Sequence, residues 1–268
     1  MIRTLTHDDF ESLFAAFTAA FSDYVVKLSP TREQLLEMFT RRGWVPELSV
    51  AAFDGDALVA FTVNCAEGDR AYDSGTGVIP THRRSGLARA LMERSFELLA
   101  PRAYVLEVLD NNERAIALYR DLGFEVVRAL QCWTFASSGR PVVESSRNTP
   151  RRQDDSATRQ LWCDAEPSWQ NTTSSLSRAT APRVILGNDD AYAILFPDTG
   201  DLAQLAVRPE ARRRGLGTAL LHEAAAVAAK PLRIINVDER HAGIAAFLGR
   251  AGAKKTVRQV EMIRVLER

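Results

Sequence analysis

At 268 residues the chain is long enough for two domains of ordinary size, and its 46% hydrophobic and 25% charged content excludes disordered, collagen-like and coiled-coil architectures. Lys plus Arg equals Asp plus Glu at 34 each, so no net field draws the protein to nucleic acid or to an anionic membrane. No stretch approaches the roughly 18 apolar residues of a membrane span. The three cysteines, Cys65, Cys132 and Cys163, have neither disulfide nor metal spacing, and a cytoplasmic protein free of disulfides and metal is expected.

The opening MIRTLTHDDF carries acids where a secretory signal has a basic end and then an apolar run. Asp8 to Phe21 places Phe10, Leu13, Phe14, Phe17 and Phe21 on one helical stripe. Thr31-x-x-Gln34 is a capping box that predicts a helix over 31–42. Leu48 to Phe53 and Ala57 to Cys65 read as a hairpin about Asp54-Gly55, followed by a strand to Ile79. A helix over 86–99, a strand over 103–109, a helix over 112–122 and two short strands complete the pattern. Leu130 to Phe135 reads as the closing strand, with turn-rich and polar sequence after it.

The second half repeats the first. Val78 to Ala88 (VIPTHRRSGLA) aligns with Val207 to Gly217 (VRPEARRRGLG) at an offset of 129 residues. The same offset, without a gap, aligns Ala90-Leu91 with Ala219-Leu220, Val108 with Val237, Ala117 with Ala246 and Gly123 with Gly252. The chain therefore reads as two copies of one α/β fold, residues 1–140 and 141–268. In the second copy, helices are predicted over 156–163, 168–178, 215–229 and 243–251, and strands over 183–187, 191–196 and 201–207.

Each copy holds a strand, then R-x-x-G-x-A/G, then a helix: Arg83-Arg84-Ser85-Gly86-Leu87-Ala88 and Arg212-Arg213-Arg214-Gly215-Leu216-Gly217. A helix N-terminus exposes unpaired N–H groups and the positive end of a dipole, glycine lets the backbone approach an anion, and arginines add charge. Two such segments in equivalent positions predict two phosphate-binding loops.

The pattern resembles the GCN5-related N-acetyltransferases, whose signature is this strand, pyrophosphate loop and helix. A second family block, a helix reading N-x-x-A-x-x-x-Y-x-x-x-G-F, stands here as Asn112 to Phe124. The resemblance implies two tandem domains, each a central mixed, splayed β-sheet flanked by helices, with acetyl-CoA as co-substrate between the splayed strands. It places the pyrophosphate on Arg83 to Ala88 and the pantetheine arm along the strand ending at Val78 and Ile79, near Asn112. In the second copy Val207 and Arg212 to Gly217 take the matching cofactor positions. The resemblance also implies that Tyr119 protonates the leaving thiolate. Glu107, in a Leu-Glu-Val similar to that of the ribosomal-protein N-terminal acetyltransferases, is implied as the base for a primary amine, acting through a water.

At the same offset Glu107 becomes Asn236, Tyr119 becomes Leu248 and Asn112 becomes His241. The first copy is thus the expected transferase, and the second a degenerate or CoA-binding copy. Catalysis in the second copy, with His241 and Asp238 or Glu239, is the alternative, as is an acyl-CoA-binding module without turnover. The resemblance implies acceptor recognition roughly between Phe21 and Trp44, where Asp23 and Tyr24 suit an ammonium group or simply end a helix. Antibiotics, polyamines, amino acids and protein N-termini all remain open as acceptors, as does oligomeric state.

Overall fold

The computed structural model describes residues 1–23, 29–136 and 163–267. They divide into two compact units: unit 1 is Met1–Val127, Ser177–Thr180 and Glu261–Arg268, and unit 2 is Arg128–Leu176 and Ala181–Val260.

Unit 1 runs β1 (Ile2–Thr4), α1 (Phe10–Ala20), α2 (Arg32–Arg42), β2 (Val50–Asp54), β3 (Ala57–Glu67), β4 (Arg70–Val78), α3 (Leu87–Leu99), β5 (Ala103–Leu109) and α4 (Glu113–Asp121). The capping box forms as predicted: Gln34 N donates to Thr31 Oγ1 at 3.2 Å and Thr31 N to Gln34 Oε1 at 2.9 Å. Strands β1 to β4 pair antiparallel in sequence order, and β5 joins β4 in parallel. Alternation along β3 sends Phe61 and Val63 to one face and Ala60 to the other. Phe61 and Val63 meet Phe10, Leu13 and Phe17 of α1 and Leu35 and Phe39 of α2. On the opposite face Leu91 of α3 packs with Val50, Ala52, Val59 and Ala60. Each buried Phe or Leu contributes about 1.5–3 kcal/mol, so the two helical layers clamp the sheet that carries β4 and β5.

Unit 2 contains β6 (Glu125–Phe135, from Arg128 onward), α5 (Thr173–Arg178, to Leu176), β7 (Val184–Gly187), β8 (Ala191–Phe196), β9 (Asp201–Val207), α6 (Leu216–Val227), β10 (Leu232–Asp238), α7 (Ala242–Ala251) and the first part of β11 (Lys254–Val265). β7, β8 and β9 pair antiparallel, β9 joins β10 in parallel, and β10 pairs antiparallel with β6. Trp133 and Phe135 pack with Ala193, Leu195, Leu220, Leu221, Leu232 and Leu248 in one core.

Three expectations change. Two short strands after α4 are one strand, β6, whose residues from Leu130 to Phe135 pair with β10 of unit 2, so the units do not divide at residue 140. Unit 1 instead receives Glu261–Arg268, which include the last residues of β11, a strand the sequence pattern did not mark. The helix over 168–178 is a 3₁₀ turn, Trp169–Asn171, followed by the short α5. Residues 156–162 of the helix expected over 156–163, the Arg151-Arg152 pair, Trp162 and Tyr24 lie outside the described residues, and Cys163 is not helical.

Candidate functional site

In each unit two parallel strands part. β4 and β5 pair from Arg70↔Ala103 to Asp73↔Leu106 and no further, which leaves Ser74 to Val78 facing Glu107 to Leu109 across a gap. In unit 2 the parallel pairing of β9 and β10 is reduced to Asp201↔Arg233. A bulge helps to turn each strand aside: register shifts between Val63 and Asn64 opposite β4, and between Ile194 and Leu195 opposite β9.

The gap is lined by backbone donors. Ile79 N–H donates to Val59 O at 3.0 Å. Antiparallel alternation therefore turns the amides of Val78 and Thr76 away from β3, into the gap. Arg208 N–H donates to Asp190 O at 2.8 Å, and the same alternation turns the Val207 and Leu205 amides inward in unit 2.

The two loops have one backbone. Arg84 and Arg213 both sit at φ 63°, and Gly86 and Gly215, the N-caps of α3 and α6, at φ 82° and 84° with ψ −4° in both. A Cβ on either glycine would meet nothing within 4 Å, so the left-handed angle, not crowding, demands glycine. Left-handed arginine is uncommon, and such strain is retained where a loop must aim its N–H groups. A glycine N-cap also supplies no side-chain oxygen, which leaves the first-turn N–H groups of Leu87 and Ala88, and of Leu216 and Gly217, for an external anion.

The arginines divide their roles, which the sequence pattern did not reveal. Arg83 forks onto Asp23 at 2.6 and 2.7 Å and donates to Ala20 O and, through Nε, to Val78 O at 3.3 Å. Arg212 reproduces this with Asp164 at 2.7 Å and Val207 O at 3.0 Å. These side chains tie the loop to its strand end, and Asp23 is held below the usual carboxylate range by the Arg83 hydrogen bonds rather than standing open to an ammonium. Arg84 and Arg213 are exposed and make no ion pair or hydrogen bond among the described residues. Arg214 donates to Glu210 O at 3.0 Å, and Ser85 Oγ to His82 O at 2.5 Å.

Beyond the loops the units differ. In unit 1 Glu107 is the first residue of β5 past the last β4–β5 pair, and its Oε2 accepts from Tyr72 Oη at 3.3 Å. Burial, then the Glu107 charge, raises the Tyr72 phenol well above its ordinary range, so it stays a donor. Asn112 caps α4 by accepting from Ala115 N at 3.2 Å. Tyr119 is buried on α4, edge-on to Phe124 at 5.8 Å.

In unit 2 the gap opens into a cavity of about 600 Å³ running from Arg213, Gly215 and Gly217 past Leu205 and Val207 to Asn236 and Leu248. The residues standing for Glu107 and Tyr119 thus line it. Asn236 has φ 61° and accepts from Gln259 Nε2 at 2.8 Å. His241 is the N-cap of α7 and makes no capping hydrogen bond. Burial works to raise the Asp238 carboxyl, but hydrogen bonds from Arg240 and Arg128 outweigh it and hold it at about 2. Glu239 is likewise held low by Arg258. Neither carboxylate suits a proton acceptor.

Inward-facing amides, a left-handed glycine at an uncapped helix and a free arginine fit an extended thioester that ends in a pyrophosphate. The chain belongs to the acetyltransferase (GNAT) family, whose model matches residues 10–124 and again 180–252. Enzymes of this family use acetyl-CoA. Its fold is similar to a GCN5-related N-acetyltransferase of Sphaerobacter thermophilus at TM-score 0.74 and 16% identity, covering 100% of this chain and 96% of that one. It is also similar to a tandem GNAT protein from the clavulanic acid biosynthesis pathway at TM-score 0.64 and 16% identity, covering 100% and 99%. No curated sequence matches the chain. Among the described residues no helix is long and apolar enough to cross a membrane.

Proposed function

We propose that unit 1 is an N-acetyltransferase moving acetyl from acetyl-CoA to a primary amine by direct attack on the thioester, and that unit 2 binds CoA without turnover. The observation that carries this is Glu107 at the mouth of the β4–β5 gap, on a unit whose loop matches that of unit 2 while unit 2 has Asn236 there.

In this reading the N–H groups of Arg84 to Ala88 and the Arg84 guanidinium hold the pyrophosphate, Arg83 fixes the loop, and Val78 and Ile79 with the Asn112 amide guide the pantetheine arm. Val207 and Arg212 to Gly217 do the same in unit 2. The Thr76 amide faces the thioester carbonyl and stabilises the negative charge that develops on its oxygen. Glu107 first takes a proton from the ammonium through a water, and the freed nitrogen lone pair then forms the C–N bond. The C–S bond breaks and its electron pair leaves on sulfur, to which Tyr119 gives its phenolic proton, while the second proton of the acetylated nitrogen returns through solvent to the phenolate. A phenol of pKa about 10 matches an alkyl thiolate in basicity.

The test is release of the CoA thiol from acetyl-CoA with a panel of polyamines, aminoglycosides, amino acids and short peptides with free N-termini. Amine-stimulated release that Glu107→Gln abolishes supports the reading. Binding of acetyl-CoA with only slow, amine-independent hydrolysis would favour a sensing module instead.

A further inference from the structure

The bulge of β4 is held by two charged groups that the proposed chemistry does not use. Asp73, buried, is the last residue of β4 paired to β5, opposite Leu106. Its Oδ1 accepts from Gly75 N at 2.8 Å and its Oδ2 from Thr76 Oγ1 at 2.7 Å. From the other side Arg42 of α2 donates to Ser74 O at 3.0 Å and to Ser74 Oγ at 3.1 Å. Ser74 to Thr76, where β4 leaves β5, is therefore gripped by a carboxylate and a guanidinium. Unit 2 has Leu202 in the place of Asp73, so its bulge lacks this grip.

A buried carboxylate costs folding free energy unless something repays it, and such groups concentrate where chemistry needs them. We propose that Asp73 is a positioning residue for acetyl transfer: its ionised carboxylate fixes the bulge so that the Thr76 amide meets the thioester carbonyl. This rests on the reading that unit 1 is the transferase.

The groups around Asp73 make it the switch of the cluster. Arg42 faces it from α2, Cys65 from β3, Tyr72 from its own strand and Tyr104 from β5, while α3 contributes the neutral Met92, 3.6 Å from Thr76 Oγ1. Burial pushes Cys65 up to about 12 and raises Tyr72 and Tyr104 well above the phenol range. Burial also raises Asp73, to about 6, against the hydrogen bonds from Thr76 and Gly75 and the Arg42 charge. On acidification through pH 6 the carboxyl gains a proton, loses one acceptor and loosens the bulge.

The experiment is the pH profile of kcat and of kcat/KM for acetyl-CoA in the wild type, Asp73→Asn and Thr76→Val, with Glu107→Gln alongside. Asp73→Asn is expected to lower kcat about tenfold at pH 8 and to remove the ionisation near pH 6, with the CoA dissociation constant within threefold of wild type. Thr76→Val deletes one hydrogen bond to the charged form and is expected to move the acid limb to higher pH. A wild-type kcat and an unchanged acid limb in Asp73→Asn would overturn the proposal, as would an unmoved limb in Thr76→Val. A Glu107→Gln protein at full rate would instead remove the transferase reading of unit 1.

Discussion

Units 1 and 2 share a loop to within 2° at its glycine and differ at the far end of the gap that the loop serves. In unit 1 the parallel strands stay paired through Asp73 and Leu106, and just beyond the last pair stands Glu107, hydrogen-bonded to Tyr72. In unit 2 the pairing is down to Asp201 and Arg233, and smaller, non-titrating side chains, Asn236 and Leu248, line a 600 Å³ cavity. The backbone geometry that suits an anion is thus separable from the side chains that suit proton transfer. A duplicated fold can keep the first while losing the second.

The largest expected effect is on Glu107. Glu107→Gln is expected to lower kcat by about 10²–10⁴, the range for a general base, with CoA affinity retained. Thiol release at saturating amine measures it. Tyr119→Phe is expected to cost about 10–10² in kcat with an unchanged dissociation constant, because another proton source, water, can reach the thiolate; a rate equal to wild type would remove Tyr119 from the chemistry. Gly215→Glu, which adds a charge and a Cβ at φ 84°, is expected to abolish CoA binding in unit 2 while transfer stays within about threefold. Complete loss of transfer in a folded Gly215→Glu protein would reverse the roles of the units.

The smallest effect is on the arginine clamps. Asp23→Asn frees Arg83 from an exposed ion pair, so the melting temperature should barely move. KM for acetyl-CoA is expected to rise a fewfold as the loop loses its tie to β4, and Asp164→Asn should weaken CoA binding in unit 2 by a similar factor. Stability follows pH differently at Asp73. Its folded-state pKa is raised, so the ionised form is penalised and the fold gains stability as pH falls through 6. The Asp73→Asn variant cannot take up that proton, and its melting temperature should lose this part of the pH dependence.

Much of this is legible in the sequence. The strands over 103–109, 191–196 and 201–207 begin and end as the pattern predicted, because β-branched and apolar runs there are bounded by turn residues. The 129-residue offset located both loops, since a glycine N-cap with flanking arginine is a local signal. The role of Arg83 was not local: nothing in Arg83-Arg84 says that the first forks onto Asp23, sixty residues away, while the second stays free. The same holds for β6, whose residues Leu130 to Phe135 the pattern marks as a closing strand without naming β10 as their partner, and for β11, which it does not mark: long-range pairing decides both. Asp73 is not legible in the sequence, since a single acid in Tyr72-Asp73-Ser74-Gly75 carries no local signal, whereas its burial and its two hydrogen bonds belong to the folded bulge.

The central claim is that the gap of unit 1 transfers acetyl and the gap of unit 2 only holds CoA. Gly86→Glu tests it most directly, with amine-dependent thiol release and CoA binding measured on the same folded sample. The account predicts that transfer is lost while one equivalent of CoA still binds. Transfer at the wild-type rate by this protein would place the chemistry in unit 2 and contradict it.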